Sequence, residues 1–166
     1  MKKAGRKKTA TTRAAPGSAP TGRAPGAGYS GTPLPKKLGL VPGVTLATID
    51  APPEYRAWLG DLPAGADLVL ARAGQPLRAV HLFVIRRRDL EPHLRDLRAR
   101  LDPAGFVWVS WPKKAARVET DITEDVIRDV ALPLGFVDVK VCAVSDVWSG
   151  LKLVVRVSER PRASTS

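Results

Sequence analysis

Residues 79–111 read AVHLFVIRRRDLEPHLRDLRARLDPAGFVWVSW. Two short apolar runs, Ala79–Ile85 and Phe106–Trp111, flank a stretch in which leucines recur at positions 90, 94, 97 and 101, the spacing of one face of a helix. Continuous apolar runs are typical of strands that are buried on both faces of a parallel sheet. The segment therefore predicts a strand, a helix and a second strand that is parallel to the first.

The ends of this predicted helix carry capping and stop signals. Asp89 is an N-cap candidate, because its carboxylate can accept hydrogen bonds from the free amides of a first helical turn. Pro103 and Gly105 interrupt the pattern before the next apolar run. We therefore expect a helix from Asp89 to Leu101.

The same alternation continues on both sides of this segment. The runs Val44–Ile49 and Asp67–Ala71 predict two earlier strands, and Asp121-Ile-Thr-Glu124 is a capping sequence that predicts a second helix. Two alternating runs, Val137–Val144 and Val147–Val157, predict an antiparallel hairpin. The order predicts a Rossmann-like α/β domain, with a mostly parallel sheet, right-handed crossovers and a C-terminal antiparallel hairpin.

Positive charge is concentrated at the N terminus. The 166 residues include 27 Lys and Arg against 16 Asp and Glu, a formal net charge of +11, and no acid precedes Asp50. Residues 1–28 contain only Met, Lys, Arg, Ala, Pro, Gly, Ser and Thr, too little apolar surface to offset the entropy of ordering. We expect a disordered arm that binds nucleic acid or another polyanion. Its cations are Lys2, Lys3, Arg6, Lys7, Lys8, Arg13 and Arg23.

Composition divides the chain into four parts. The arm is followed by a docking segment, then by the Rossmann-like domain and finally by a disordered tail. The predicted boundaries are residues 1–28, 29–43, 44–158 and 159–166. Docking is expected because the second part brings the first large apolar side chains, Tyr29, Leu34 and Leu38. A protein–protein adaptor that uses this docking segment is one functional alternative.

Residue counts exclude several protein classes. No apolar run approaches the ~18 residues that span a bilayer, and residues 1–33 lack the Leu, Ile, Val, Phe or Trp of a secretory signal. We therefore expect a cytoplasmic protein with no membrane contact. Cys142 is the single cysteine and His81 and His93 are the two histidines, so we expect neither a disulfide nor a metal site.

The sequence lacks the usual motifs for catalysis or cofactor binding. A methyl-donor or dinucleotide site on such a sheet needs a glycine-rich turn after the first strand and usually an acid after the second. Here the first strand runs into Asp50-Ala-Pro-Pro-Glu54, and the second ends at Arg72. Ser110 has no identifiable partner base, and His81 is expected to be a core histidine. We expect no catalytic residue, no cofactor and no binding of S-adenosylmethionine.

Cations follow the predicted strand ends. Arg86 comes after one strand, and Lys113 and Lys114 follow Trp111 at the end of another. Ligands of open parallel sheets gather beyond these ends, so the three cations are candidates to hold an anion, with Trp111 as a stacking face. The alternative is a solvated basic loop with Trp111 packed as a lid.

The sequence favours a non-catalytic binder of an anionic partner. The enzyme alternative is a divergent methyltransferase-like or other transferase with a small-molecule pocket at the strand ends.

Two resemblances add to this interpretation. The helix, turn and strand at Leu97–Ser110 resemble the second half of class I methyltransferases, whose closing hairpin is also matched, over about residues 79–157. Four phrases resemble the bacterial family named domain of unknown function 3052. They are GYSGTPLPKKLG (28–39), WPKK (111–114), TDITEDV (120–126) and DVKVCAVSDVWSGLKLV (138–154). The second resemblance implies no established reaction, substrate or catalytic residue.

Overall fold

The structure is a computed structural model that describes residues 31–161. In this part of the chain, six strands form one sheet. The strands are β1 (Thr45–Ile49), β2 (Asp67–Leu70), β3 (Leu77–Phe83), β4 (Leu101–Pro112), β5 (Phe136–Ala143) and β6 (Trp148–Val155). The α-helices are α1 (Leu34–Lys37), α2 (Tyr55–Leu59), α3 (Arg87–Arg100) and α4 (Glu124–Ala131). Short 3₁₀ helices lie at Lys114–Ala116, Leu132–Leu134 and Val157–Glu159. The arm, Tyr29 and residues 162–166 lie outside the described residues.

The sheet has the strand order β2-β1-β3-β4-β6-β5. Strands β2, β1, β3 and β4 are parallel, whereas β6 is antiparallel to both β4 and β5. The predicted Rossmann-like domain with a closing antiparallel hairpin is therefore confirmed. Strand β2 lies on one side of β1, whereas β3 and β4 lie on the other side. The strand order therefore reverses between β1 and β3. Ligands of open α/β sheets bind at such a switch point, beyond the carboxyl ends of the strands.

Each face of the sheet packs against its own pair of helices. Alternating strand residues such as Val80 and Val107 face the leucine stripe of α3 and the apolar side of α4. The residues between them, such as Phe83 and Trp108, face α1, α2 and the connecting segment that carries Leu38. The indole Nε1 of buried Trp108 donates to the Leu38 carbonyl at 2.9 Å. This hydrogen bond and the burial of Leu38 attach the N-terminal segment of the described chain to the sheet.

The connection from β2 to β3 contains no helix. Residues 71–76 cross the sheet as an irregular segment, and the guanidinium Nη1 of Arg100 donates to the carbonyls of Arg72 and Gln75 at 2.8 and 2.6 Å. A cavity of about 600 Å³ lies at the amino ends of β1 and β3, lined by residues that include Val69, Gln75 and Leu77. This cavity thus lies at the amino ends of the strands, away from the switch point.

Two of the predicted caps are wrong. Helix α3 begins at Arg87 and ends at Arg100, so Asp89 lies inside its first turn. The carboxylate of Asp121 instead accepts from the backbone N–H of Arg87 at 2.7 Å, while the hydroxyl of Thr123 caps α4. Asp121 therefore stabilises the helix that precedes it in the chain, a pairing that local spacing cannot reveal.

Strand β4 is longer than its apolar run. Leu101 begins this strand instead of ending the helix, and Gly105 lies within it. A Cβ at position 105 would collide with the backbone carbonyl of Arg78 on β3, so the two strands approach closely only because residue 105 is glycine. The register between β3 and β4 shifts at this point.

The closing hairpin turns on a serine. The hydroxyl of Ser145 accepts from the backbone N–H groups of Val147 and Trp148, both at 3.1 Å. This turn fixes where Trp148 begins β6. None of the helices found within residues 31–161 is long and apolar enough to cross a bilayer.

Candidate functional site

A cavity of about 350 Å³ opens at the switch point, where β1 and β3 end. Its lining residues are Asp50, Pro52, Phe83, Val84, Ile85, Asp89 and Trp148. Small-molecule sites in proteins generally have volumes of about 300–1,000 Å³. Both its position in the fold and its volume therefore make this cavity the candidate site.

Two carboxylates stand at the rim of this cavity. Asp50 follows β1 with a φ of +57°, in the left-handed region that residues other than glycine rarely adopt. Its Oδ2 lies 3.8 Å from Nε2 of His93 on α3. Asp89 comes from the first turn of the same helix. Because the cavity lining within the described chain includes no Lys or Arg, the carboxylates make the site favourable for positive charge or for hydroxyl donors.

Two aromatic rings form the apolar wall of the cavity. The rings of Phe83 and Trp148 meet edge to face, with centroids 5.1 Å apart and planes at 82°. Phe83 ends β3, and Trp148 is held at the start of β6 by the Ser145 turn. Such a wall suits a flat ring or a cation, since aromatic faces attract both.

A buried chain of hydrogen bonds supports this wall. The phenol Oη of Tyr55 lies 2.5 Å from Nδ1 of His81, and Nε2 of His81 lies 2.7 Å from Oγ of Ser110. The imidazole also stacks on Phe83, with centroids 4.3 Å apart. A neutral imidazole has one donor and one acceptor, so one hydroxyl donates to the ring and the other accepts from it. The hydrogen bonds with Tyr55 and Ser110 therefore hold the His81 ring in place, and this ring supports Phe83 by stacking on it.

Burial sets the protonation of this chain. It lowers the pKa of His81 to about 3 and raises the pKa of Tyr55 above its ordinary value. The imidazole is accordingly neutral and the phenol protonated at neutral pH. His81 is fully buried, which confirms the predicted core histidine.

Ser110 does have a partner base, and the expectation that it lacks one is wrong. The two side chains meet because His81 and Ser110 lie on the same face of neighbouring parallel strands. Ser110 is fully buried, so its hydroxyl is not presented to a substrate. In the sequence, the two residues occupy equivalent positions in two consecutive apolar runs. This signal can be interpreted only when the register between the two strands is known.

The structure does not bring the predicted anion site into this cavity. Arg86 precedes α3 and its guanidinium lies 3.7 Å from Glu119, and Lys113 and Lys114 lead into a 3₁₀ helix. Trp111 is 9% exposed and packs in the core on the α3 and α4 face, which leaves little of its ring for stacking. None of Arg86, Trp111, Lys113 and Lys114 lines the switch-point cavity.

The remaining predicted residues are placed as follows. The arm cations and Tyr29 lie outside the described residues. Leu34 and Leu38 are buried against the body, so their side chains are occupied within this chain. Cys142 is half-buried, and burial raises the pKa of its thiol. Within residues 31–161, no cluster of His, Cys, Asp and Glu has the arrangement of a metal site.

Comparison with known proteins supports the fold. No family model and no curated protein matches the chain. A provisionally named type 11 methyltransferase from Sulfolobus solfataricus superposes with a TM-score of 0.51 at 13% identity, over 75% of this chain and 90% of that one. A Bordetella parapertussis protein described as a possible exported protein gives 0.52 at 11% identity, over 75% of this chain and 66% of that one. The body has a methyltransferase-like Rossmann fold. At such identities the likeness extends to the fold alone.

Proposed function

We propose that the switch-point cavity is a small-molecule site and that the protein is a divergent transferase of methyltransferase-like fold. The observation that carries this proposal is the combination of Asp50 and Asp89 with the Phe83 and Trp148 rings around one open cavity. The ligand that suits this lining carries positive charge beside a flat ring.

Electrostatics favour a cation in this cavity. Asp50 and Asp89 line the same cavity, so their negative charges favour the entry of a cation. The nearby aromatic rings attract a cation through their negative faces. A sulfonium or a quaternary ammonium would thus gain from both parts of the lining.

S-adenosylmethionine fits this lining in part. It offers a sulfonium cation and a flat base, and its ribose hydroxyls can donate to a carboxylate such as Asp50 or Asp89. The loop after β1 departs from the usual site, because Pro52 and Pro53 have no N–H to donate and no acid follows β2. Loss of one charged hydrogen bond lowers affinity about ten- to a hundredfold. When bound, this molecule would supply a transferable methyl group.

Isothermal calorimetry on the full chain tests the proposal. We expect S-adenosylmethionine to bind with a Kd between about 10 μM and 1 mM, and S-adenosylhomocysteine to bind more weakly because its sulfur is uncharged. The double variant Asp50→Asn, Asp89→Asn should lose about tenfold or more in affinity, since it removes both carboxylate charges. Asp61→Asn, an exposed acid away from the cavity lining, is the matched control and should bind as the native chain does.

The outcome that contradicts the proposal is equally defined. If S-adenosylmethionine at millimolar concentration gives no heat of binding, the cavity does not take this class of ligand. Equal affinity for both compounds, unchanged in the double variant, would also overturn it. The first of these outcomes would agree with the expectation from the sequence that the chain does not bind S-adenosylmethionine.

A further inference from the structure

A second cavity, of about 470 Å³, is surrounded by lysines. It lies between α1 and β5 and is lined by Thr32, Lys36, Lys37, Lys140, Val141, Cys142 and Ala143. It shares no lining residue with the switch-point cavity. We define Lys36, Lys37, Lys140 and the neighbouring Lys152 as the lysine groove.

Lys140 contacts or influences the other elements of the lysine groove. The ammonium of Lys140 donates to the backbone carbonyl of Lys37 at 3.2 Å. Burial and the charge of Lys140 together lower the pKa of Lys152. The ammonium of Lys152 lies 4.6 Å from the centroid of the Phe106 ring and against Gly39. Lysines from α1, β5 and β6 therefore surround the groove.

In the described part of the chain, no carboxylate is seen to form an ion pair with a lysine of the groove. The ion pairs seen there join acids to Arg or His. The 30 preceding residues contain no acid either. Like charges around one groove repel one another, and an anion between them would relieve that repulsion.

The groove includes a residue close to the start of the described part of the chain. This residue, Thr32, lines the cavity, and the seven arm cations precede it in the sequence. A single phosphate meets only part of this charge, whereas a polymer of regularly spaced phosphates can contact several lysines of the groove together. The sequence predicts anion binding by the arm and by the strand-end cations; the structure adds a groove beside β5, at an edge of the sheet.

We propose that the lysine groove binds the phosphate backbone of a nucleic acid without preference for base sequence. The backbone is the element recognised, because ammonium groups act as point charges towards phosphates and the groove contributes no set of side chains for reading base edges. This proposal is independent of the switch-point cavity.

Fluorescence anisotropy with the full chain provides the test. The probes are a labelled 20-nucleotide oligothymidine and a labelled mixed-sequence duplex, each titrated at several KCl concentrations. The triple variant Lys36→Ala, Lys37→Ala, Lys140→Ala should bind the duplex at least tenfold more weakly at low salt. Its salt slope should be shallower by about 2 to 3, since each lost phosphate contact removes about 0.9.

Two variants make the result specific. The double variant Lys113→Ala, Lys114→Ala removes lysines at the end of β4 and should leave duplex affinity nearly unchanged. The triple variant Lys36→Arg, Lys37→Arg, Lys140→Arg keeps the positive charge and should bind the duplex about as tightly as the native chain does. If the arginine variant does not bind the duplex although its thermal melt matches that of the native chain, the positive charge of the groove does not account for nucleic-acid binding, and the proposal is wrong.

Other outcomes overturn the proposal. Native affinity in the alanine triple variant would show that the groove does not contact nucleic acid. Loss in the Lys113 and Lys114 variant alone would return the site to the strand ends. If the alanine triple variant loses only binding of inorganic phosphate, with oligonucleotide affinity unchanged, the groove holds a free anion and not a nucleic acid.

Discussion

His81 ties the stability of the protein to pH through a single buried ring. Its pKa is about 3 in the folded protein, against an ordinary value of 6.5. Between these values the unfolded chain binds a proton that the folded chain does not. The free energy of unfolding therefore falls as the pH drops below about 6.5, by up to about 1.4 kcal/mol per pH unit.

The prediction is a loss of up to about 2 kcal/mol in the free energy of unfolding between pH 7 and pH 5. Urea denaturation at the two pH values measures it. His93→Asn, which alters the half-exposed histidine beside Asp50, should keep this dependence on pH. Nuclear magnetic resonance of the His81 ring gives a direct check, because a ring that titrates near pH 6.5 in the folded protein contradicts the prediction.

The residues that sequence reasoning missed share one property. Ser110 meets His81, and Lys140 meets Lys37, only through pairings between elements far apart in the chain. Residue type and local spacing predict which elements form, since apolar periodicity is local. They do not predict which polar side chains end up on the same face of two different elements, because that depends on strand register. Asp89 reaches the switch-point cavity because α3 begins soon after β3 ends.

At the scale of elements, the segment before β1 acts as part of the core. Leu38 is fully buried, and its carbonyl accepts the hydrogen bond of Trp108. Removing a buried leucine side chain leaves a cavity as well as a loss of apolar burial. We predict that Leu38→Ala lowers the free energy of unfolding by about 2–5 kcal/mol.

Denaturant unfolding of the full chain measures this effect. Val41→Ala is the matched control, because Val41 lies in the same segment but is 58% exposed. It should change stability by less than about 0.5 kcal/mol. Similar effects of the two substitutions would mean that the segment does not contribute to the core in solution.

Elements also show where sequence patterns succeed. The strands β1, β3 and β4 and the helix α3 follow from apolar runs and a leucine stripe, because burial on a sheet and on a helix imposes those periods. The boundaries of α3 do not follow, since its N-terminal partner Asp121 arrives from 34 residues away. The closing hairpin was predictable, because two alternating runs and a polar turn specify it locally.

At the scale of the whole molecule, charge is divided between two sites of opposite sign. The switch-point cavity has acids in its lining, whereas the lysine groove and the arm carry cations without acids. The two sites should therefore select different partners. Binding of a cationic small molecule should be insensitive to the lysine variants, and binding of nucleic acid should be insensitive to the Asp50 and Asp89 variants.

The contribution of the arm is a separate prediction. Replacing its seven cations with Gln in the full chain should weaken duplex binding and reduce the salt slope by at most about 6, from roughly 0.9 per phosphate neutralised. Anisotropy titrations across KCl concentrations measure both quantities. If affinity and slope stay the same while solubility falls, the arm serves to keep the protein in solution.

At Asp50, in the loop after β1, the φ of +57° lowers the stability of the fold while the side chain contributes a carboxylate to the cavity. Glycine adopts this conformation without steric strain, so a chain selected for stability alone would place glycine there. Asp50 instead keeps a carboxylate at the mouth of the cavity and accepts a strained backbone. Stabilising replacements are easy to find in proteins, and they tend to weaken function where a strained residue serves it. An engineering effort that repaired this position would gain a firmer fold and lose the charge that the cavity presents.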